Sequence, residues 1–574
     1  MKIHFYKRIC FLLATTLFIG CSDFLEEQPI STIGVDEFYK DQTQAEIALS
    51  GIYSKLADDR VYGQALSIIM SSGTDEGYYN RRYNENWTVG LYRHTSQDNY
   101  IKNLWAALYD VINLSNTFLE KLDPAAFEED QYNALLAEAR FLRAHAYQLL
   151  VDWWEEVPMP LTPTLDQSSN NLPVSSLEEL YAQIIKDYTY ASMHLPAATD
   201  PSYVPGRANK YAAHGLMARA YLKMATYPMK DVTKYELAKK HCDTIIQSGV
   251  HGLSASQSIV VNDGSDDKIV VTEDGYRKHF LNYIQNSYDV HESLFEISFR
   301  YLRESGIDTH GRLGTLNGVP FNLGGGDDGY PGAFAMYNTT PLLRNSYIAN
   351  HDSIRKMWNL AEMTYSGSGN ASAVTNTLAR GYAPGKYRRW EPSNYEDLFT
   401  DPEPGTVEAY VVLEDNPSPN RNFSTVNFPV LRYADVLLMY AEADNAIHSG
   451  PTATAIQYLD EVRNRAGLFP INVAKPSAVA GQQAFFEELV DERFRELCFE
   501  ALRKHDLIRW ELLGEKLMDL NASIEGSPEF SNTNEDHKSY LRAGQFFNPS
   551  KHLSLPYPLQ EVNLNQQLEQ KNNW

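Results

Sequence analysis

The residues best placed for chemistry lie in three short stretches. The first runs from Asp75 to Arg93 and holds Asp75, Tyr78, Tyr79, Arg81, Arg82, Tyr83, Asn84, Asn86, Trp87 and Tyr92. Flat rings beside amides, carboxylates and guanidinium groups suit a polyhydroxylated ring, whose C–H faces stack on aromatics while its rim hydroxyls bond planar polar groups. The second runs from Phe321 to Tyr337, with Asp327, Asp328, Tyr330 and Tyr337 around Gly324-Gly325-Gly326. Glycines let backbone approach a ligand closely, but without Gly-Lys-Ser/Thr this run is no phosphate loop. The third is Lys386 to Trp390, where Tyr387, Arg388, Arg389 and Trp390 form a basic-aromatic cluster. Arg388 or Arg81 would meet any carboxylate on the ligand. The ligand-binding candidates are therefore Asp75, Tyr78, Tyr79, Arg81, Tyr83, Asn86, Trp87, Tyr330, Arg388 and Trp390. The competing reading is structural: aromatics such as Trp87 pack onto helices, and the glycine run is a plain loop.

Other chemistries find little support. Asn262, Asp263, Ser265, Asp266 and Asp267 offer oxygen ligands without calcium-loop spacing or a closing Glu, so a solvated turn is expected. Cys242 and Cys498 lie in helix-like stretches with no Cys/His spacing, which points to buried free thiols and no metal. No motif fixes a catalytic carboxylate pair, and no cofactor is implied. A formal charge of −24 argues against nucleic acid, because phosphate neutralisation supplies most of that affinity. Aromatic residues make up 12% of the chain, with 37 tyrosines, which favours stacking surfaces beyond an ordinary core.

These stretches need a scaffold, and the apolar periodicity supplies a helical one. Helices are expected at 44–57, 99–122, 128–154, 175–194, 209–225 and 234–247, the last closed by Gly249. Residues 253–427 change character: Gly, Asn, Asp, Ser and Pro crowd 262–267, 311–332 and 366–373, with strand-like runs at 268–272 and 293–298. Helices return at 433–449, 453–466, 482–499 and 502–519. Paired helices of this length with Ala at close-approach positions point to tetratricopeptide-like stacking, although no clean 34-residue repeat is visible. The mature chain is long enough for one large domain or two intimately packed ones.

The first residues carry an address. Lys2, Lys7 and Arg8 precede an uncharged apolar run from Ile9 to Gly20, too short to span a bilayer and typical of a secretory signal. It ends in Leu17-Phe18-Ile19-Gly20-Cys21, which resembles a bacterial lipoprotein cleavage box with Phe18 where leucine is commoner. The implied chemistry is acylation of the Cys21 thiol and amine, and several acyl chains give durable anchoring. Ser22, Asp23, Glu26 and Glu27 come next, resembling the signal by which Bacteroidetes send lipoproteins to the cell surface. Residues 1–20 are thus read as a signal peptide and 21–40 as a lipidated tether. Beyond them lie a helical region at 41–252 with its ligand loop at 71–97, a loop-rich middle at 253–427 and a helical region at 428–574.

Several segments together resemble the SusD/RagB family of Bacteroidetes nutrient-binding lipoproteins. Cys21-Ser22-Asp23-Phe24-Leu25 with Pro29 is how many members begin. Glu138-Ala139-Arg140-Phe141-Leu142-Arg143-Ala144 resembles a core family helix, and the stretch from Asn427 through Arg432, Asp435 and Glu442 to Ala443 matches the family's most recognisable motif. Val462 to Gly467, Glu492 to Leu497, Asp506 to Trp510 and Leu555-Pro556-Tyr557-Pro558 with Glu561 and Asn565 come after it in order. Many relatives end on tyrosine where this chain has Trp574. The resemblance implies a mainly α SusD-like fold, with tetratricopeptide-like helix pairs in a superhelical scaffold, a large irregular region and short β-strands.

The same resemblance implies a role without turnover. A lipoprotein lid on the outer membrane, facing out and anchored through acylated Cys21, would capture a glycan or other nutrient for a SusC-like TonB-dependent transporter. Family members place ligand contacts on the loop that corresponds to 71–97. The motif residues themselves have a structural reading: Arg432, Arg465, Arg493 and Glu496 are expected to join helices as paired, partly buried charges. The alternatives are an envelope scaffold binding only proteins and, last, a surface glycoside hydrolase with two carboxylates about 5–10 Å apart.

Overall fold

In the computed structural model, the described residues are 39–80, 87–262, 267–302, 307–321, 333–365, 370–374, 378, 382–393, 406–407, 410–415 and 422–574. Cys21 and the whole signal and tether expectation lie outside them, apart from residues 39 and 40, as does the 263–266 turn. Six helices open the chain: α1 (Gln42–Leu56), α2 (Asn99–Lys121), α3 (Glu129–Trp154), α4 (Leu177–His194), α5 (Lys210–Ala225) and α6 (Lys234–Ser248). The starts of α1, α2, α4 and α5 are set by side chains that accept from otherwise orphaned backbone N–H groups. Asp98 accepts from Tyr100 and Ile101 at α2, and Asn209 from Tyr211 and Ala212 at α5. Ser176 and Glu179 form a reciprocal capping box at α4. Gly249 closes α6 at φ +65°, as its position in the sequence predicts.

Each helix packs on the next, α2 on α3, α3 on α4, α4 on α5 and α5 on α6. Alanines 137, 139, 144 and 146 of α3 are wholly buried and let its neighbours approach closely. After a long excursion the chain returns with α10 (Tyr433–His448), which packs on α6 and carries α11 (Ala453–Arg465) and α12 (Gln482–Glu496). The expected mainly helical fold with tetratricopeptide-like pairs, an irregular middle and short strands is therefore what the chain adopts.

The excursion holds α7 (Gly275–Ile284), α8 (Pro341–Ala349) and α9 (Ser353–Asn359), none of which the periodicity predicts. They are too short to show a face, and local caps set them: Asp274, Thr340 with Pro341 behind it, and Asp352. Six short strands help to position the site: β1 (Gly77–Tyr79), β2 (Ser293–Ile297), β3 (Tyr337–Thr339), β4 (Trp390–Pro392), β5 (Tyr410–Val412) and β6 (Phe428–Arg432). All pair antiparallel, β1 with β3, β2 with β6 and β4 with β5. Beyond α12 the expected helix 502–519 is two, α13 (Arg503–Arg509) and α14 (Leu513–Glu525), because Glu511 turns left-handed at φ +62°. Likewise the expected helix 482–499 stops at Glu496, with Phe499 at φ +64°. A further helix, α15 (Glu535–Phe546), packs on α14.

Buried charge ties the returning helices to one another and to the excursion. Arg432 at the start of α10 reaches Glu292, Glu496 and Glu500 at 3.1, 3.1 and 2.7 Å, all within the interior. Arg465 pairs with the same Glu292 and Glu496. Arg493 joins Asp435 and Asp506 at 2.6 and 2.8 Å, and Arg355 joins Asp352, Glu492 and Glu496. Burial opposes ionisation of Glu292, but Arg465, His279 and Arg432 outweigh it and hold the carboxyl well below the usual range. The motif arginines and carboxylates are the framework, as the sequence predicts. Cys242 and Cys498 are buried and free.

Candidate functional site

The three candidate stretches, far apart in sequence, converge. Strand β1 from the first pairs with β3 from the second, Tyr79 opposite Tyr337. Asn80 locks the junction: its Nδ2 donates to Ala335 O at 2.6 Å and to Asn338 Oδ1 at 2.7 Å, and its N–H donates to Met336 O. The second stretch is closed on itself by a bridge between Phe321 and Ala333 and reaches the third through a ring contact of Phe321 with Trp390, 4.6 Å between centroids. Gly314, at φ +77°, lets its loop lie against the third stretch, since a Cβ there would come within 2.5 Å of Tyr387 O. At the foot of the first stretch Gly73 (φ +80°) touches Gly90, leaving no room for a side chain at either. Tyr92 ties the same crossing by donating to Gly73 O at 2.8 Å.

Burial corrects the expectation that the named side chains present themselves to a ligand. Asp75 is 2% exposed and accepts a bidentate pair from Arg503, at 2.9 and 2.6 Å. Tyr78 lies against Tyr540, with centroids 4.0 Å apart. Tyr79 stacks on Trp87 at 4.7 Å and 25°, and Trp87 is itself only 2% exposed. Arg388 donates to the carbonyls of Gly385, Met357 and Trp358 and covers the Trp358 ring. Trp390 is enclosed by Phe321 and Tyr365. These six residues build a rigid platform; a ring closed on both faces has none left for a sugar. Arg81, Tyr83, Asn86 and Tyr330 lie outside the described residues, in segments 81–86 and 322–332. The described residues on either side of them, Asn80 and Trp87, and Phe321 and Ala333, belong to the platform.

Beneath the platform sits Glu76, which sequence reasoning passed over. Its Oε1 accepts from the Phe499 N–H at 3.2 Å and the Tyr337 hydroxyl at 3.4 Å, and its Oε2 has no partner among the described residues. Burial, with Asp75 next to it, pushes the carboxyl up to about 8. Beside β3 opens a cleft of about 210 Å³ lined by Thr339, Arg344, Asn345, Tyr382, Ser527 and Glu529 among others. Hydroxyls, an amide, a guanidinium and a phenol edge give it the polar character that a glycan rim needs. No local motif reveals this cleft, because its walls come from α8, the segment around Tyr382 and the loop after α14. Among the described residues no cluster of three or more His, Cys, Asp or Glu could hold a metal, and no helix is long and apolar enough to cross a membrane.

A superhelical scaffold of paired helices carrying a loop platform defines a protein of the helical-repeat class. Residues 337–574 match the model described as the SusD family, and residues 23–222 match a SusD-like model described as "Starch-binding associating with outer membrane". The chain belongs to the SusD/RagB family. It is 27% identical to SusD-like protein P25 of Formosa agariphila, over 95% of this chain and 94% of that one. It is 24% identical to SusD-like protein P2 of the same organism, over 92% and 95%. Among solved structures, a SusD homologue from Bacteroides thetaiotaomicron superposes with a TM-score of 0.75 at 26% identity, covering 94% of this chain and 98% of that one. A laminarin-binding SusD-like protein shares the fold, with a TM-score of 0.65 at 20% identity, covering 93% and 100%.

Proposed function

We propose that this protein is an outer-membrane lipoprotein that captures a glycan at the cell surface and delivers it to a TonB-dependent transporter of the SusC type. The observation that carries the reading is the convergence of three dispersed aromatic-polar stretches on one platform, within a family that includes starch- and laminarin-binding members. Ligand contacts fall to the segments that the platform carries, with Arg81, Tyr83, Asn86 and Tyr330 as the residues in question. Anchoring is through acylated Cys21, and the acids that follow it direct the protein outward. The ligand is bound and not cleaved in this reading, which the burial of the platform carboxylates Asp75 and Glu76 and their hydrogen bonds to Arg503 and Phe499 support. A neutral or weakly acidic glycan suits the charge of the chain.

Affinity electrophoresis of the mature protein through a panel of neutral polysaccharides tests this directly. Retardation by at least one glycan, with no new reducing ends after incubation, is the expected result. Indifference to every glycan would favour a protein-binding scaffold, and new reducing ends would make the protein a hydrolase.

A further inference from the structure

A groove on the helical scaffold combines room for a sugar with unmatched negative charge. On α2, Trp105, Tyr109, Asn113 and Asn116 recur at three- and four-residue steps and so form one stripe. The stripe holds the segment after α3 as an opposing wall. Tyr109 donates to Pro158 O at 2.6 Å, and Asn116 Nδ2 donates to Pro160 O and Thr162 O, at 3.1 Å each. Asn113 Oδ1 accepts from the Thr164 N–H at 2.8 Å. The C-terminal residues 561–568 close a third side, where Asn565 Nδ2 donates to Leu172 O at 2.7 Å. Between these walls lies a groove of about 290 Å³, which shares no residue with the cleft beside β3. Bonds from side chain to backbone pin the walls, so the space is pre-formed.

The groups left over specify the occupant. Trp105 and Tyr109, with ring centroids 5.0 Å apart, give the groove an aromatic side, and Tyr109 is partly exposed. The Thr164 N–H can meet only an oxygen, so the Asn113 amide is oriented, and its Nδ2 has no partner among the described residues. Asp110 and Glu561 bring two carboxylates, whereas no lysine, arginine or histidine among the described residues lines the groove. Asp110, with 48% of its side chain exposed, has Arg60 at 3.7 Å, but Arg60 sits closer to Asp58, at 3.0 Å. Glu561 is partly buried and has no ion-pair partner within 4.0 Å among the described residues. Burial raises its carboxyl, and the Trp105 N–H alone pulls the other way. A partly buried carboxylate without a cation is costly, and a ligand that brings a cation removes that cost.

We infer that this groove binds a hexosamine, a six-membered sugar ring that carries a free ammonium. The ammonium meets Glu561 and Asp110, a ring hydroxyl accepts from Asn113 Nδ2, and the C–H face lies along Tyr109. The volume is that of about ten waters at about 30 Å³ each, enough for one such ring. A neutral sugar leaves Glu561 unmatched, and a sugar acid is repelled. A bare ammonium leaves the aromatic side and Asn113 unused. The site is separate from the platform and does not depend on what the platform carries.

Isothermal titration of the mature protein with glucosamine is the test, with glucose, N-acetylglucosamine and methylammonium as comparison solutes. Saturable one-to-one binding of glucosamine is expected, at least about tenfold tighter than that of the two uncharged sugars or of methylammonium. Glu561→Gln, which keeps an acceptor for the Trp105 N–H, should weaken glucosamine binding at least about tenfold, and Asp110→Asn about threefold. Replacing residues 81–86 with a Gly/Ser segment should leave it unchanged. The inference is overturned if glucosamine binds no tighter than glucose or methylammonium, if Glu561→Gln binds it as the wild type does, or if the 81–86 replacement abolishes binding. Should Glu561→Gln fail to fold, Asp110→Asn decides at an exposed carboxylate: weakened binding supports the groove, and unchanged binding overturns it.

Discussion

Arg432 stands at the centre of the buried joint between the excursion and the returning helices. It faces Glu292, Glu496 and Glu500 within the interior, so removing its charge strands three buried carboxylates. Arg432→Met is expected to cost about 3–5 kcal/mol in denaturant unfolding, the usual penalty for breaking a buried pair from one side. A loss below ~1 kcal/mol would show that the carboxylates find other partners. Glu76 makes the opposite case. Its folded pKa, about 8, lies above the ordinary 4.5, so its contribution is full below pH 4.5 and declines as pH rises towards 8. Glu76→Gln keeps the bond from Phe499 and cannot ionise. The variant should gain more than ~1 kcal/mol over the wild type at pH 8 and nothing at pH 4.5. Equal stability of the two proteins across that window would mean that Glu76 is ionised and paired. That Arg432, Arg465, Arg493 and Glu496 join helices as paired charges was legible from their place on helices that also carry an apolar face, although which acid meets which base was not. Glu76 was not, because nothing local distinguishes a buried glutamate from a solvated one.

At the scale of elements, the aromatic-polar stretches were legible as composition, but which of their residues face inward was not. Alternation and helical period mark a buried face only in regular elements, and 75–93 and 386–390 are mostly irregular. Trp87 shows the consequence. Stacked on Tyr79 and closed over, it acts as a footing, so Trp87→Ala should destabilise by about 3–5 kcal/mol, as large core truncations do. A melting temperature unchanged from the wild type would return Trp87 to the ligand surface. The long helices α2 to α6 were readable because each offers a periodic face, and α2, α4, α5 and α6 a cap as well. The breaks at Phe499 and Glu511 were not, since each is a left-handed turn at an ordinary residue that tertiary contacts impose.

For the whole molecule, the helical body is a frame tied together by buried ion pairs, with the loop platform packed against it. The frame depends on ionised carboxylates. In Glu292, Asp435 and Glu492, burial opposes ionisation, but arginines outweigh it and hold the folded pKa values below the ordinary ones. Their stabilisation is present above about pH 4.5 and is lost as pH falls through the folded values. The denaturant midpoint should therefore drop steeply below about pH 4.5, and a flat profile down to about pH 3 would contradict a frame built on charge. The family scaffold was legible across nearly the whole chain because its motifs are spaced from the first residues through α3 and α10 to α13 to the last, whereas the proposed glycan-binding segments carry no such signature. The central claim is that the platform carries a glycan-binding surface that can be removed without touching the frame. It is tested by replacing residues 81–86 with a Gly/Ser segment of equal length and measuring retention on a glycan that retards the wild type, alongside the melting temperature. Retention lost with the melting temperature unchanged is the expected result; retention intact in the well-folded variant would place the binding surface elsewhere.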